Sequence, residues 1–173
     1  IPYVNWFDLD FPEVISLRRE FFTETSKYKM IASSATDPVW IERIGKLSSP
    51  VFLVCEGLMM YLHESEVKDL LLSLHDHFSN CQIIFDAFSK FTSDRIQAHP
   101  AMQKTAAQVH WGIDDAHEIE TWSSGIHLLE EWYFSQSDAI SLLQPFYRFM
   151  FRMASKIEMA NKAHRILFYQ LNS

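Results

Sequence analysis

Apolar and polar positions along the chain switch repeatedly between a period of two and a period near 3.6. The segment Tyr3-Val4-Asn5-Trp6-Phe7-Asp8-Leu9-Asp10 is short, rich in β-forming residues and closed by Pro12, which predicts a buried strand running into a turn. From Pro12 onward Val14, Leu17, Phe21 and Phe22 recur at helical spacing while Arg18, Arg19 and Glu20 face out, so a helix follows. Lys29 to Ser33 reads as a second strand. Asp37-Pro38 then has the form of an N-cap with proline at the first position of a short helix that reaches Gly45. The run Val51-Phe52-Leu53-Val54-Cys55 is apolar on both faces, the pattern of a central parallel strand covered by helices on each side. Glu64 to Phe78 places Val67, Leu70, Leu71 and Leu74 on one helical stripe, and Gln82 to Phe88 forms a fourth strand that carries Asp86 near its end.

This alternation of strand and helix predicts right-handed crossovers and a doubly wound, mostly parallel sheet of the α/β class. Between Lys90 and Ser124 the periodicity weakens, Pro100 and Gly112 break it, and His, Gln, Met and Trp accumulate, as in a cap over a site. Ile126 to Phe134 is strand-like, Ala139 to Met159 helical and Ala163 to Leu171 strand-like, which predicts a closing antiparallel edge hairpin. Residues 1–173 are read as one domain, with 90–124 as a cap insertion.

The content of 48% apolar and 14% aromatic residues in 173 is enough for one sizeable core. A net charge of -7 with no clustered Lys or Arg speaks against a nucleic-acid partner. The longest clean apolar run, Val51 to Cys55, falls far short of the roughly 20 residues of a membrane span, so a cytoplasmic protein without a membrane partner is expected. Cys55 and Cys81 sit inside apolar strands, where buried thiols are commoner than disulfides or metal ligands. The chain opens on Ile1 and enters a strand pattern at once, with no secretory signal, and a segment upstream is expected.

In open α/β sheets ligands bind beyond the carboxyl ends of the strands. The residues there are Asp8 and Asp10, Ser33 and Ser34, Glu56 and Asp86. A carboxylate in such a place can accept charge-assisted hydrogen bonds from both hydroxyls of a ribose. For Asp10 the alternative is an acid favoured by the dipole of the helix that Pro12 starts, and for Asp86 a surface pair with Lys90 or Arg95. Glu56 stands too far ahead of Glu64 to cap that helix, which favours a functional role.

Phe7-Asp8-Leu9-Asp10-Phe11-Pro12-Glu13-Val14-Ile15 resembles the acidic strand motif of the leucine carboxyl methyltransferase and polyketide O-methyltransferase family. Val54-Cys55-Glu56-Gly57-Leu58-Met59-Met60-Tyr61-Leu62 is similar to that family's later acid-Gly-Leu-x-x-Tyr-Leu motif. Trp111-Gly112-Ile113-Asp114-Asp115, leading to Leu128-Leu129-Glu130-Glu131-Trp132, resembles the bacterial branch related to the tetracenomycin methyltransferases. The three matches cover nearly the whole chain in order.

The resemblance implies a Rossmann-like methyltransferase fold and S-adenosylmethionine as cofactor. It implies that Asp10 holds the ribose, that Glu56 and Gly57 lie by the methionine and sulfonium end, and that Tyr61 lines the same pocket. Ser34 and Ala35 stand where the family has the acid and apolar residue that flank adenine. A serine can still accept a hydrogen bond there, more weakly than a carboxylate. Asp86 falls on the substrate side and 90–124 in the family's variable substrate cap.

The family's glycine-rich first strand and turn are missing; the chain has four glycines, none so placed. Without that strand the first and third strands lose a neighbour, and the exposed edge invites self-association or pairing with the missing N-terminal segment. A truncated or partly resolved chain, or half of a split protein, is therefore expected.

The implied reaction is methyl transfer to a carboxylate or hydroxyl of a small, polyketide-like molecule. A carboxylate needs no general base, whereas a hydroxyl is helped by one, with Asp86, His99, His110 and His117 as candidates and Tyr61 beside the substrate; for each histidine the alternative is a solvated or structurally hydrogen-bonded role. Two other classes compete. A non-catalytic methyltransferase-like module would account for the missing glycine turn, and a nicotinamide dehydrogenase also places an acid after a strand but makes no demand for the EGLMMYL motif.

Overall fold

The computed structural model describes residues 4–45, 47, 50–96, 102, 107–134, 138–154 and 161–172. The chain forms two compact units, Ile1–Leu47 and Ser48–Ser173.

In the first unit β1 (Trp6–Asp10) is followed by α1 (Pro12–Phe21), β2 (Tyr28–Ala32) and α2 (Val39–Ile44). The two strands pair in parallel from Trp6 opposite Tyr28 to Asp10 opposite Ala32, a pairing that needs a crossover such as α1 to reverse the chain. Pro12 at the start of α1 presets the helical φ, and Glu13 in the first turn with Arg18 and Arg19 in the last complements the helix dipole. The inner face of α1 differs from the expected stripe. Ile15 is buried, while Val14, Leu17, Phe21 and Phe22 are exposed, Phe21 by 74%. Arg18, expected to face out, instead turns to β1 and pairs with Asp8, and Arg19 reaches the Met30 carbonyl at 3.4 Å. An ion pair and Ile15 thus fix the rotation of the helix, at positions three and four residues apart.

The second unit contains β3 (Val51–Cys55), a 3-10 turn Met59–Tyr61, α3 (Glu64–His77), β4 (Cys81–Phe88) and α4 (Lys90–Ile96). It continues with 3-10 segments Ala116–Trp122 and Asp138–Leu142 on either side of β5 (Ile126–Tyr133), then α5 (Pro145–Ala154) and β6 (His164–Leu171). The sheet order is β3-β4-β6-β5, with β3 and β4 parallel and β6 antiparallel to both of its neighbours. The final strand therefore runs antiparallel, as expected, but lies inside the sheet and leaves β5 at the margin. The helix expected over Ala139–Met159 is broken at Pro145, which cannot continue a preceding helix, and residues 155–160 lie outside those described.

Burial alternates strictly along β4 and β6, so Cys81, Ile83, Phe85 and Ala87 join Leu167, Tyr169 and Leu171 in the core. Val67, Leu70, Leu71 and Leu74 of α3 are buried as the helical stripe predicts. Each such aliphatic side chain contributes about 1.5–3 kcal/mol by leaving water. β3 is not the covered central strand that its apolar run alone predicts; it has the open edge expected from the missing first strand. Among the described residues its hydrogen-bonded neighbour is β4, and Phe52 and Val54 are 57% and 61% exposed.

The Trp-Gly-Ile-Asp-Asp stretch has a clear physical use. The fully buried Arg165 of β6 donates Nη2 to the carbonyls of Ile113 (2.6 Å) and Asp114 (3.0 Å), and its Nε lies 2.9 Å from the Glu131 carboxylate. Gly112 is needed for close approach, since a Cβ there would fall 2.7 Å from the Ser89 carbonyl oxygen.

Candidate active site

The carboxyl end of β1 bears two acids of different character. Asp8 is a structural hub: it accepts hydrogen bonds from Trp6 Nε1 (2.7 Å), Tyr28 Oη (2.6 Å) and Arg18 Nη2 (2.5 Å). Burial alone would raise its pKa, but these donors outweigh it and hold the carboxyl below the usual range. Asp10, two residues on, is exposed, and its Oδ1 accepts the Phe11 N–H at 2.8 Å. No ion pair engages it among the described residues. The dipole alternative has this one point in its favour, since Phe11 immediately precedes α1.

At the end of β2 the main chain turns through Ser33 and Ser34. Ser34 Oγ lies 2.8 Å from Thr36 Oγ1, the Ala35 carbonyl accepts Trp40 Nε1 at 3.0 Å, and Asp37 accepts the Val39 N–H at 3.1 Å. The Ser34 hydroxyl is thus engaged by Thr36, and the Ala35 carbonyl by Trp40.

The second unit builds its rim where β3 and β4 end. Glu56 follows β3 directly, is exposed, and has no hydrogen bond or ion pair among the described residues. Gly57 has φ +61, a left-handed conformation that glycine adopts without the steric penalty of a Cβ. That turn aims the Gly57 N–H at Asp86 Oδ1, 2.7 Å away. The other oxygen, Oδ2, lies 2.8 Å from His164 Nε2. Burial would raise the Asp86 pKa, yet the bonds from His164 and Gly57 prevail and lower it.

The alternative of a surface pair for Asp86 with Lys90 or Arg95 is not what forms. Lys90 pairs with Glu118 at 3.3 Å, and the Arg95 guanidinium stacks over the Phe91 ring at 3.8 Å. Tyr61 lies in the 3-10 turn after Gly57 and is exposed. His110 stacks on His63 with ring centroids 4.3 Å apart, and His110 and Trp111 both donate their N–H groups to the Met60 carbonyl. His117 is exposed and paired with Glu120, whose carboxylate raises its pKa. Neither histidine touches Asp86, and His99 lies outside the described residues. The histidine that does is His164, which the sequence offered no local signal to single out.

Cys55 and Cys81 are free thiols, and burial pushes both up to about 12. Among the described residues no group of three or more His, Cys, Asp or Glu could hold a metal ion, and no helix is long and apolar enough to cross a membrane.

No family model matches the chain. It is 28% identical over 166 residues to the tetracenomycin polyketide synthesis O-methyltransferase TcmP of Streptomyces glaucescens, a match covering 96% of this chain and 61% of that protein. It is 30% identical over 140 residues to the S-adenosyl-L-methionine-dependent methyltransferase dpfgK of Gibberella zeae, covering 74% of this chain and 47% of that one. The chain thus spans about half to three-fifths of these relatives. A solved methyltransferase structure from Thermobifida fusca superposes with a TM-score of 0.61 at 15% identity, over 96% of this chain and 63% of that one. This likeness is of fold.

Proposed function

We propose that this chain, a relative of the tetracenomycin-type O-methyltransferases with a methyltransferase α/β fold, is the larger part of an S-adenosylmethionine-dependent O-methyltransferase. The observation that carries the reading is the pair of exposed carboxylates, Asp10 after β1 and Glu56 after β3, neither in an ion pair among the described residues. Exposed, unpaired carboxylates at strand ends match the donors of this cofactor, two ribose hydroxyls and one ammonium. Asp10 Oδ1 is taken by Phe11, which leaves Oδ2 for a ribose hydroxyl. Glu56 would face the amino-acid end, with Gly57 and Tyr61 beside it, and Ser34 and Ala35 would border the adenine.

S-adenosylmethionine, when bound, supplies a methyl group on a positively charged sulfur. The chain's residues align the acceptor with that methyl and exclude water, since orientation can lower the barrier of such a displacement by about 7–11 kcal/mol. The acceptor is a small, polyketide-like molecule met in the cytoplasm, and its choice is assigned to the cap segment 90–124, of which residues 97–101 and 103–106 lie outside those described. The relatives' printed activities and the three sequence motifs support this assignment.

A second reading, a non-catalytic module that pairs with another chain, is favoured by the open edge of β3 with its exposed Phe52 and Val54. Titration of the full-length protein with S-adenosylmethionine, followed by transfer of a tritiated methyl group to a panel of phenols and acids, decides between them. Binding with transfer is the expected result. Absence of both supports the module.

A further inference from the structure

We infer that His164, held by Asp86, is the general base for a hydroxyl acceptor, an aromatic alcohol rather than a carboxylic acid; the inference rests on the methyltransferase reading above.

β6 runs antiparallel to β4, so its first residue, His164, lies opposite Phe88 at the carboxyl end of β4. Ligands of an open α/β sheet bind at that end. The imidazole is anchored on three sides. Its Nε2 is 2.8 Å from Asp86 Oδ2, the Phe88 ring lies 4.8 Å from it by centroids, and the Phe134 ring lies 4.8 Å away also. Asp86 cannot swing, because Gly57 N–H holds its other oxygen at 2.7 Å. An ionised carboxylate accepts, so Nε2 carries the proton and Nδ1 the lone pair. Nδ1 has no hydrogen-bond partner among the described residues, and the His164 side chain remains 39% exposed. Asp86 is the charged group in contact with the ring; its other neighbours, Phe88 and Phe134, are apolar.

Such an arrangement has a use with one acceptor class. A carboxylic acid, with a pKa of about 4, is already ionised at neutral pH and needs no base, whereas a phenol, at about 10, keeps its proton. An imidazole held with its free nitrogen toward the acceptor is suited to removing that proton as the new bond forms. In the step, Nδ1 takes the hydroxyl proton while the acceptor oxygen bonds the methyl carbon. The electron pair of the broken carbon–sulfur bond stays on sulfur, leaving an uncharged thioether, and the imidazolium returns its proton to water. The two phenyl rings flanking the imidazole also favour a flat aromatic acceptor. Asp86 acts through His164 and is a positioning residue.

The test uses the full-length protein, its H164Q and D86N variants, and 2-naphthol and 2-naphthoic acid as probes. Glutamine keeps a donor for Asp86 but has no base. Wild type should methylate 2-naphthol and not 2-naphthoic acid. In H164Q kcat should fall about 100-fold or more while S-adenosylmethionine affinity stays within about twofold by calorimetry. Nitrogen NMR of histidine-labelled protein should show His164 protonated at Nε2 in wild type and lose that tautomer in D86N. Transfer to 2-naphthoic acid alone, transfer to neither probe with the cofactor bound, an unchanged kcat in H164Q, or the opposite tautomer overturns the assignment. Failure of wild type to bind S-adenosylmethionine sinks the underlying reading instead.

Discussion

Gly57 donates its backbone N–H to Oδ1 of Asp86 across 2.7 Å, joining the turn after β3 to the end of β4. The bond depends on a left-handed φ at Gly57, and it positions the residue that follows Glu56 on the rim. One glycine therefore couples the proposed cofactor contact to the acceptor side of the site.

Gly57 and Gly112 should fail differently on substitution. A Cβ at Gly57 meets nothing within 4 Å, so G57A should cost about 1–2 kcal/mol through φ alone, and G57N less because asparagine tolerates that region. At Gly112 a Cβ would lie 2.6 Å from Ser93 Oγ and 2.7 Å from the Ser89 carbonyl oxygen, so G112A and G112N should both cost about 1–3 kcal/mol or more. Urea denaturation of the four variants checks the ordering.

Asp86 makes stability depend on pH. Its carboxyl titrates lower in the folded chain than in the unfolded one, so its contribution is full above the ordinary aspartate range and is lost as pH falls through the folded value. D86N should lose about 1–3 kcal/mol at neutral pH, the worth of hydrogen bonds to a charged group, and less as the pH is lowered towards about 3. Denaturation midpoints of wild type and D86N at a series of pH values should converge on the acid side.

Much of this fold was legible in the sequence. Val51–Cys55 follows from its unbroken run of β-forming apolar residues, and the α3 stripe Val67, Leu70, Leu71 and Leu74 from its helical periodicity. The rotation of α1 was not legible. Val14, Leu17 and Phe21 mark one face, but Arg18 is drawn to Asp8, a contact that depends on the tertiary pairing of helix and strand. Nor can an apolar run reveal how many neighbours its strand has: Val51–Cys55 taken alone reads as central, and it is the missing first strand that predicts the edge at which β3 stands among the described residues. The places of Asp10, Glu56 and Asp86 at or near strand ends follow from their apolar runs. His164 heads an apolar alternation, 78 residues from Asp86, and gains meaning once β6 is known to run antiparallel to β4.

Arg165 should be the most sensitive polar position in the second unit. R165M would leave Glu131 half-buried without its cation and free the Ile113 and Asp114 carbonyls, at a cost of about 3–5 kcal/mol. E131Q should cost less, because the two carbonyl bonds of Arg165 survive. Thermal unfolding of the two variants reads the difference.

Both cysteines should resist modification. With the thiols of Cys55 and Cys81 pushed up to about 12, almost no thiolate exists at neutral pH. A disulfide reagent should react slowly with the folded protein and release two equivalents after unfolding in guanidinium. Rapid reaction of the native state would contradict the burial of these strands.

The central claim is that Asp10 and Glu56 each serve the binding of S-adenosylmethionine. Calorimetric titration of S-adenosylmethionine into the full-length protein and its D10A, E56A and E118A variants tests it most directly. D10A and E56A should each weaken binding by about 1.5–3 kcal/mol, an order of magnitude or more in affinity, while E118A, at the surface beside Lys90, should bind as wild type does. Unchanged affinity in D10A and E56A, with the fold intact by circular dichroism, would contradict the account.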